Sequence, residues 1–121
     1  MILRDWVNSL FAAIDRQDAA AFAAFLAEDA RFAFGNLPAV AGRDAIREFV
    51  AGFFASIRAV SHSVPDAWQS GDALTCRGEV TYTRHDGSTL TVPFANVLLM
   101  AGDRVRDYRI YADTSALYAA Q

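Results

Sequence analysis

Two polar side chains stand where the chain is otherwise apolar: His62 in Val60-Ser61-His62-Ser63-Val64, and Asn96 in Val92-Pro93-Phe94-Ala95-Asn96-Val97-Leu98-Leu99-Met100. Histidine is the side chain that exchanges protons in neutral water, so an imidazole facing an apolar hollow is a general acid or base. The competing reading is a half-buried histidine bonded to a backbone carbonyl. Burying the Asn96 amide unpaired would cost a few kcal/mol, so it requires a partner: a ligand, a water, or a neighbour such as His62 or Asp113. Tyr82 and Tyr111 add phenols that can donate to a developing enolate oxygen. His85, in the turn His85-Asp86-Gly87, is expected in solvent.

Other chemistries find no support. No His, Asp or Glu cluster has metal-ligand spacing, no glycine-rich loop could cradle phosphate, and no serine sits in a nucleophile elbow. All eleven cationic residues are arginine, so a lysine Schiff base is excluded. The single Cys76 allows no internal disulfide and no thiol metal motif, which fits a reducing cytoplasm. A net charge of −3 with scattered arginines argues against nucleic acid as a partner. Asp5 breaks the N-terminal apolar stretch, and no run is long enough to span a membrane, so neither signal peptide nor anchor is expected. What remains is cofactor-free acid–base chemistry: proton abstraction beside a carbonyl, by a carboxylate whose pKa is raised by apolar walls.

The elements that would position these groups form one domain over residues 1–121. Ile2, Trp6, Leu10, Phe11 and Ile14 recur at helical spacing, predicting a helix from Ile2 to Arg16. Asp18 is the N-cap of a second helix, Ala19 to Ala27, ending near Glu28-Asp29. A short strand, Arg31 to Phe34, precedes turn residues, and Asp44 to Arg58 forms a third, strongly apolar helix. The period then changes to two, predicting strands Val60–Gln69, Ala73–Arg84, Thr89–Met100 and Arg104–Ala112 separated by hairpin turns. Strands this long must twist and bend, most easily near Gly78 or Pro93. The fold class is α+β: a curved, cone-shaped antiparallel sheet packed on about three N-terminal helices and enclosing a pocket. The 54% hydrophobic share leaves apolar surface for a pocket, a subunit interface, or both.

These residues together resemble the nuclear transport factor 2-like superfamily, in its SnoaL-like branch, which is related to polyketide cyclases, ketosteroid isomerases and limonene epoxide hydrolases. The likeness rests on Ala27-Glu28-Asp29-Ala30, on Val40-Ala41-Gly42-Arg43-Asp44-Ala45-Ile46, on Trp68 with Gly71-Asp72, and on Val105 to Asp113 followed by a short tail. It implies a cone whose wide end opens to a pocket on the concave face of the sheet, with a homodimer formed through the other face. It also implies that Asp113, just after the last strand, is the general base; from the residues themselves, a pair of His62 with Asp113 would make a minimal acid–base apparatus. The alternative is that Asp113 caps a terminal helix from Thr114 to Ala119. The epoxide hydrolase branch implies an Asp-Arg-Asp relay, for which Arg109 with Asp107 or Asp113 offers the residue types; a surface ion pair is the competing reading. The isomerase branch places a tyrosine on the first helix, where this chain has Trp6, Leu10 and Ile14, and that departure counts against steroid isomerisation.

Asn96, Tyr111, Tyr82, Trp68, Phe34, Phe53 and Arg109 are thus the candidate substrate contacts, with ordinary core as the default for the aromatic residues. Phe32 and Phe54 are further candidate walls. The expected ligand is a small apolar organic molecule, a carbonyl compound if the protein is an isomerase, cyclase or hydratase. A non-catalytic binding or dimerisation module of the same fold is the alternative. No metal and no cofactor are expected.

Overall fold

The computed structural model describes residues 2–118. Three helices, α1 (Leu3–Asp15), α2 (Ala19–Ala23) and α3 (Arg43–Ala55), pack on one sheet of six strands. The strands are β1 (Leu26–Phe34), β2 (Val40–Ala41), β3 (Ala59–Ser70), β4 (Ala73–Thr83), β5 (Thr89–Ala101) and β6 (Arg104–Ala112), in the spatial order β2-β1-β6-β5-β4-β3. Every pairing is antiparallel except β1 with β6, which run parallel with Phe32 opposite Tyr108 and Phe34 opposite Ile110. The sheet is open and curved, with one face on the helices.

α1 buries Val7, Leu10, Phe11 and Ala13, a stripe that period-3.6 spacing dictates, while Ile2 before it stays exposed. It stops at a Schellman turn: the Asp18 N–H bonds the Ala13 carbonyl, the Gln17 N–H bonds that of Ile14, and Gln17 takes φ 57°. Asp15 is therefore the last helical residue, with its side chain at the rim of the stripe. Asp18 then caps α2 by accepting from the Ala21 N–H at 2.9 Å.

The second helix is shorter than its alanine-rich sequence predicts. The chain passes into β1 at Leu26, five residues before the expected strand, because pairing with β6 buries Leu26 and Ala30 completely. Tertiary burial overrides local helix propensity here. The expected terminal helix is likewise a turn over residues 115–118, and residue 119 lies outside the described residues.

The β3–β4 register shifts between Ser63 and Asp66, a bulge directly opposite Gly78. A Cβ at Gly78 would fall inside the van der Waals surface of the Ser63 carbonyl, so only glycine allows the two backbones to meet. Arg4 on α1 grips the same bulge, donating to the Val64 carbonyl at 2.7 Å and that of Pro65 at 3.2 Å. No helix among the described residues is long and apolar enough to cross a membrane.

Candidate functional site

Between the helices and the concave face of the sheet lies a cavity. Its free volume is ≈ 50 Å³. That space is tight, so an occupant must be small and closely fitted. The walls are largely aromatic: Phe34 meets Phe53 at 5.1 Å between ring centroids, and Phe32 meets Tyr108 at 5.4 Å. Among the described residues, no arginine, aspartate or glutamate lines it. The polar groups on the wall are His62, Asn96, Tyr82 and Tyr108.

His62 is held at two points by one carboxylate. Its backbone N–H donates to Asp15 Oδ2 at 3.0 Å, and its Nδ1 lies 2.6 Å from Asp15 Oδ1. An ionised carboxylate only accepts, so the neutral imidazole carries its proton on Nδ1 and leaves the Nε2 lone pair for another partner. Phe11 and Phe94 flank the ring, with centroids 4.8 and 5.3 Å away. Asp15 sits at a helix C-terminus, where a negative charge opposes the helix dipole. That placement is unfavourable unless a donor such as His62 meets it.

Asn96 is 2% exposed, and its Oδ1 has no hydrogen-bond partner among the described residues. It alternates with Phe94 and Leu98 on the concave face of β5, opposite Cys76 and Ile110. Tyr82 is 3% exposed, and burial pushes its phenol up to about 12. The hydroxyl therefore keeps its proton and remains a donor throughout the neutral range.

Five of the residues singled out in the sequence line the cavity: His62, Asn96, Tyr82, Phe34 and Phe53, as do the further walls Phe32 and Phe54. Four do not. Asp113 is exposed and accepts from the Ser115 N–H at 3.0 Å; the Ser115 hydroxyl and N–H hold its carboxyl below the usual carboxylate range. The expected pairing of His62 with Asp113 is thus replaced by His62 with Asp15, and apolar walls do not raise the Asp113 pKa. Arg109 binds Asp107 at 3.1 Å as a surface ion pair, which leaves no relay at the cavity. Tyr111 is 56% and Trp68 53% exposed, and both lie off the cavity wall.

On β6 it is Tyr108 and Ile110 that face inward. Alternation assigns the two parities correctly from Asp107 onward, with the inward one the apolar set, but the register shift at Leu99/Met100 breaks it earlier: Val105, expected beside Asp107, is fully buried, and Arg106, expected beside Tyr108, is exposed. Asp15 and Tyr108 are the two polar wall or near-wall groups that sequence reasoning missed. The available signals were an acid in the last turn of an amphipathic helix, and a tyrosine on the apolar parity of β6. His85 is exposed as expected, its Nε2 2.9 Å from the Ala55 carbonyl oxygen.

Comparison with known proteins agrees with this architecture. Residues 7–108 match the family model described as SnoaL-like domain. No curated protein matches the sequence. Among solved structures, one similar chain is a Catenulispora acidiphila protein with a ketosteroid isomerase-like fold, in complex with trimethylamine. It has a TM-score of 0.82 and 21% identity, over 88% of this chain and 84% of that one. A provisionally assigned SnoaL-like polyketide cyclase from Jannaschia has a TM-score of 0.80 and 19% identity, over 94% and 87% of the two chains. TerC, co-crystallised with polyporic acid, has a TM-score of 0.81 and 17% identity, over 95% and 94%. At such identities the likeness is one of fold.

Proposed function

The chain belongs to the SnoaL-like domain family, and from that premise we propose that it is a cofactor-free acid–base enzyme acting on a small, apolar carbonyl compound. The observation that carries this reading is the 2.6 Å contact between His62 Nδ1 and Asp15 Oδ1 behind an imidazole on the cavity wall. In the proposed reaction Nε2 removes a proton from the carbon beside the carbonyl. The C–H electron pair moves into an enolate, and Asp15 stabilises the imidazolium so formed. The Tyr82 hydroxyl is the donor available to the enolate oxygen. With a β,γ-unsaturated substrate, return of the proton to the γ-carbon of the dienolate completes an isomerisation; attack of the enolate carbon on an internal carbonyl closes a ring, and the alkoxide so formed takes the proton back from the imidazolium.

Support for a small organic occupant comes from the neutral, aromatic wall and from the TerC and Catenulispora neighbours, each solved with a small organic molecule. We also read the convex face of the sheet as the homodimer surface: Val97 and Leu99 are only half-buried there, beside exposed Tyr111 and Trp68.

The enzymatic reading is tested by hydrogen exchange. The protein is incubated in D₂O with a panel of cyclic ketones that includes 2-tetralone, and deuterium uptake beside the carbonyl is read by mass spectrometry. Uptake faster with the wild-type chain than with His62→Ala or Asp15→Ala supports the reading. Uptake that the two substitutions leave unchanged sinks it. Binding of panel members without any exchange would favour the non-catalytic binding module.

A further inference from the structure

Asn96 Oδ1 is the one buried side-chain polar atom among the described residues that lacks a hydrogen-bond partner. Asn96 is one of the residues that line the cavity, and its cross-strand neighbours are Cys76, whose thiol burial pushes up to about 11 and so keeps neutral, and apolar Ile110. A buried carbonyl oxygen left unmet is costly, and replacing the amide by an apolar side chain of the same size would remove that cost. A water drawn to it would find few further partners on walls of phenylalanine. An O–H or N–H on an occupant would meet it.

Resting on the reading that the cavity holds a small organic molecule, we propose that Asn96 determines its specificity, and that the ligand is a neutral, flat ring compound bearing a hydrogen-bond donor directed at Asn96 Oδ1. Each attribute has its own ground. Among the described residues the wall carries no arginine or carboxylate, and its one imidazole, His62, is already engaged by Asp15, so an ionised ligand would be buried without a free counter-charge. Aromatic side chains such as Phe34, Phe53, Phe32 and Tyr108 favour a flat ring packed against their faces and edges. Asn96 Oδ1 only accepts, so the ligand must donate. A site built around such a bond rejects the analogue that lacks the donor far more strongly than an apolar wall rejects an extra methyl group.

The test uses phenol and toluene, which differ by a hydroxyl in place of a methyl group, with binding read from chemical-shift changes on the folded chain. Burial of apolar surface alone favours toluene. The expected result is that the wild-type chain binds phenol at least about fivefold more tightly than toluene, and that Asn96→Leu reverses the order. Asn96→Leu is also expected to melt several degrees higher, which confirms folding and separates lost recognition from lost structure. Equal binding of the two probes, or a phenol preference that survives Asn96→Leu, overturns the assignment of Asn96 while leaving the cavity reading intact. Binding of neither probe overturns the cavity reading and this inference with it.

Discussion

At the scale of the residue, the proposed chemistry turns on which carboxylate meets His62. Asp15 does so at 2.6 Å, so Asp15→Asn should slow turnover by about 10²–10⁴-fold with the fold retained, as circular dichroism and single-turnover rates would show. Asp113 is exposed and engaged with Ser115, so Asp113→Asn, which keeps an acceptor for that turn, should leave turnover unchanged and shift stability by no more than about 0.5 kcal/mol in urea titration. A large activity loss there would restore Asp113 as the base. His62, Asn96 and Tyr82 were legible because a polar group inside an apolar alternating strand has few reasons to be there. Asp15 was not, because its partner lies 47 positions away in sequence and nothing local marks which helix-end acid will find a histidine. Tyr111 and Arg109 misled for the opposite reason: a dense polar set on one parity of β6 reads as a site when it is the face turned away from the cavity.

At the scale of the element, the β3 bulge aims the site. Its seat on Gly78 and its clamp by Arg4 fix the strand that carries His62. Gly78→Ala must push the backbones apart, and a loss of about 3 kcal/mol or more in urea unfolding is expected. Little change would mean that the bulge relaxes freely and does not position His62. The sequence located all four long strands within two residues at each end, since period-two patterning with Gly-Asp and Asp-Gly turns leaves little ambiguity. It also pointed to Gly78 as a place to bend, although the bulge itself is in β3 at Val64-Pro65 and not at Pro93. The start of β1 was invisible because its strand character comes from pairing with distant β6, and β2 because two residues are too few to show a period.

At the scale of the whole molecule, burial of ionisable groups sets the alkaline limit of stability. Tyr82 rises from 10.0 to about 12 and Cys76 from 9.0 to about 11, both through desolvation. Between those values the unfolded chain has released protons that the folded chain still binds, so stability must fall as pH rises from about 9 to 12. Chemical denaturation at pH 8, 10 and 11 should show the midpoint decreasing, and a flat profile would mean that the two groups are not buried in solution. The same burial makes Cys76 unreactive towards thiol reagents at pH 8 until the chain unfolds. On the convex face, Val97→Arg should convert a dimer into a folded monomer in sedimentation velocity, and a wild-type monomer would remove the proposed interface.

The most direct measurement is a proton–nitrogen correlation spectrum of the His62 ring at pH 8, in the wild-type chain and in Asp15→Ala. The expected result is the Nδ1–H tautomer with an unprotonated Nε2 in the wild type, and loss of that tautomer's dominance when Asp15 is removed. An Nε2–H tautomer in the wild type, or a ring indifferent to Asp15, would contradict the assignment of His62 as the base held by Asp15 at the cavity.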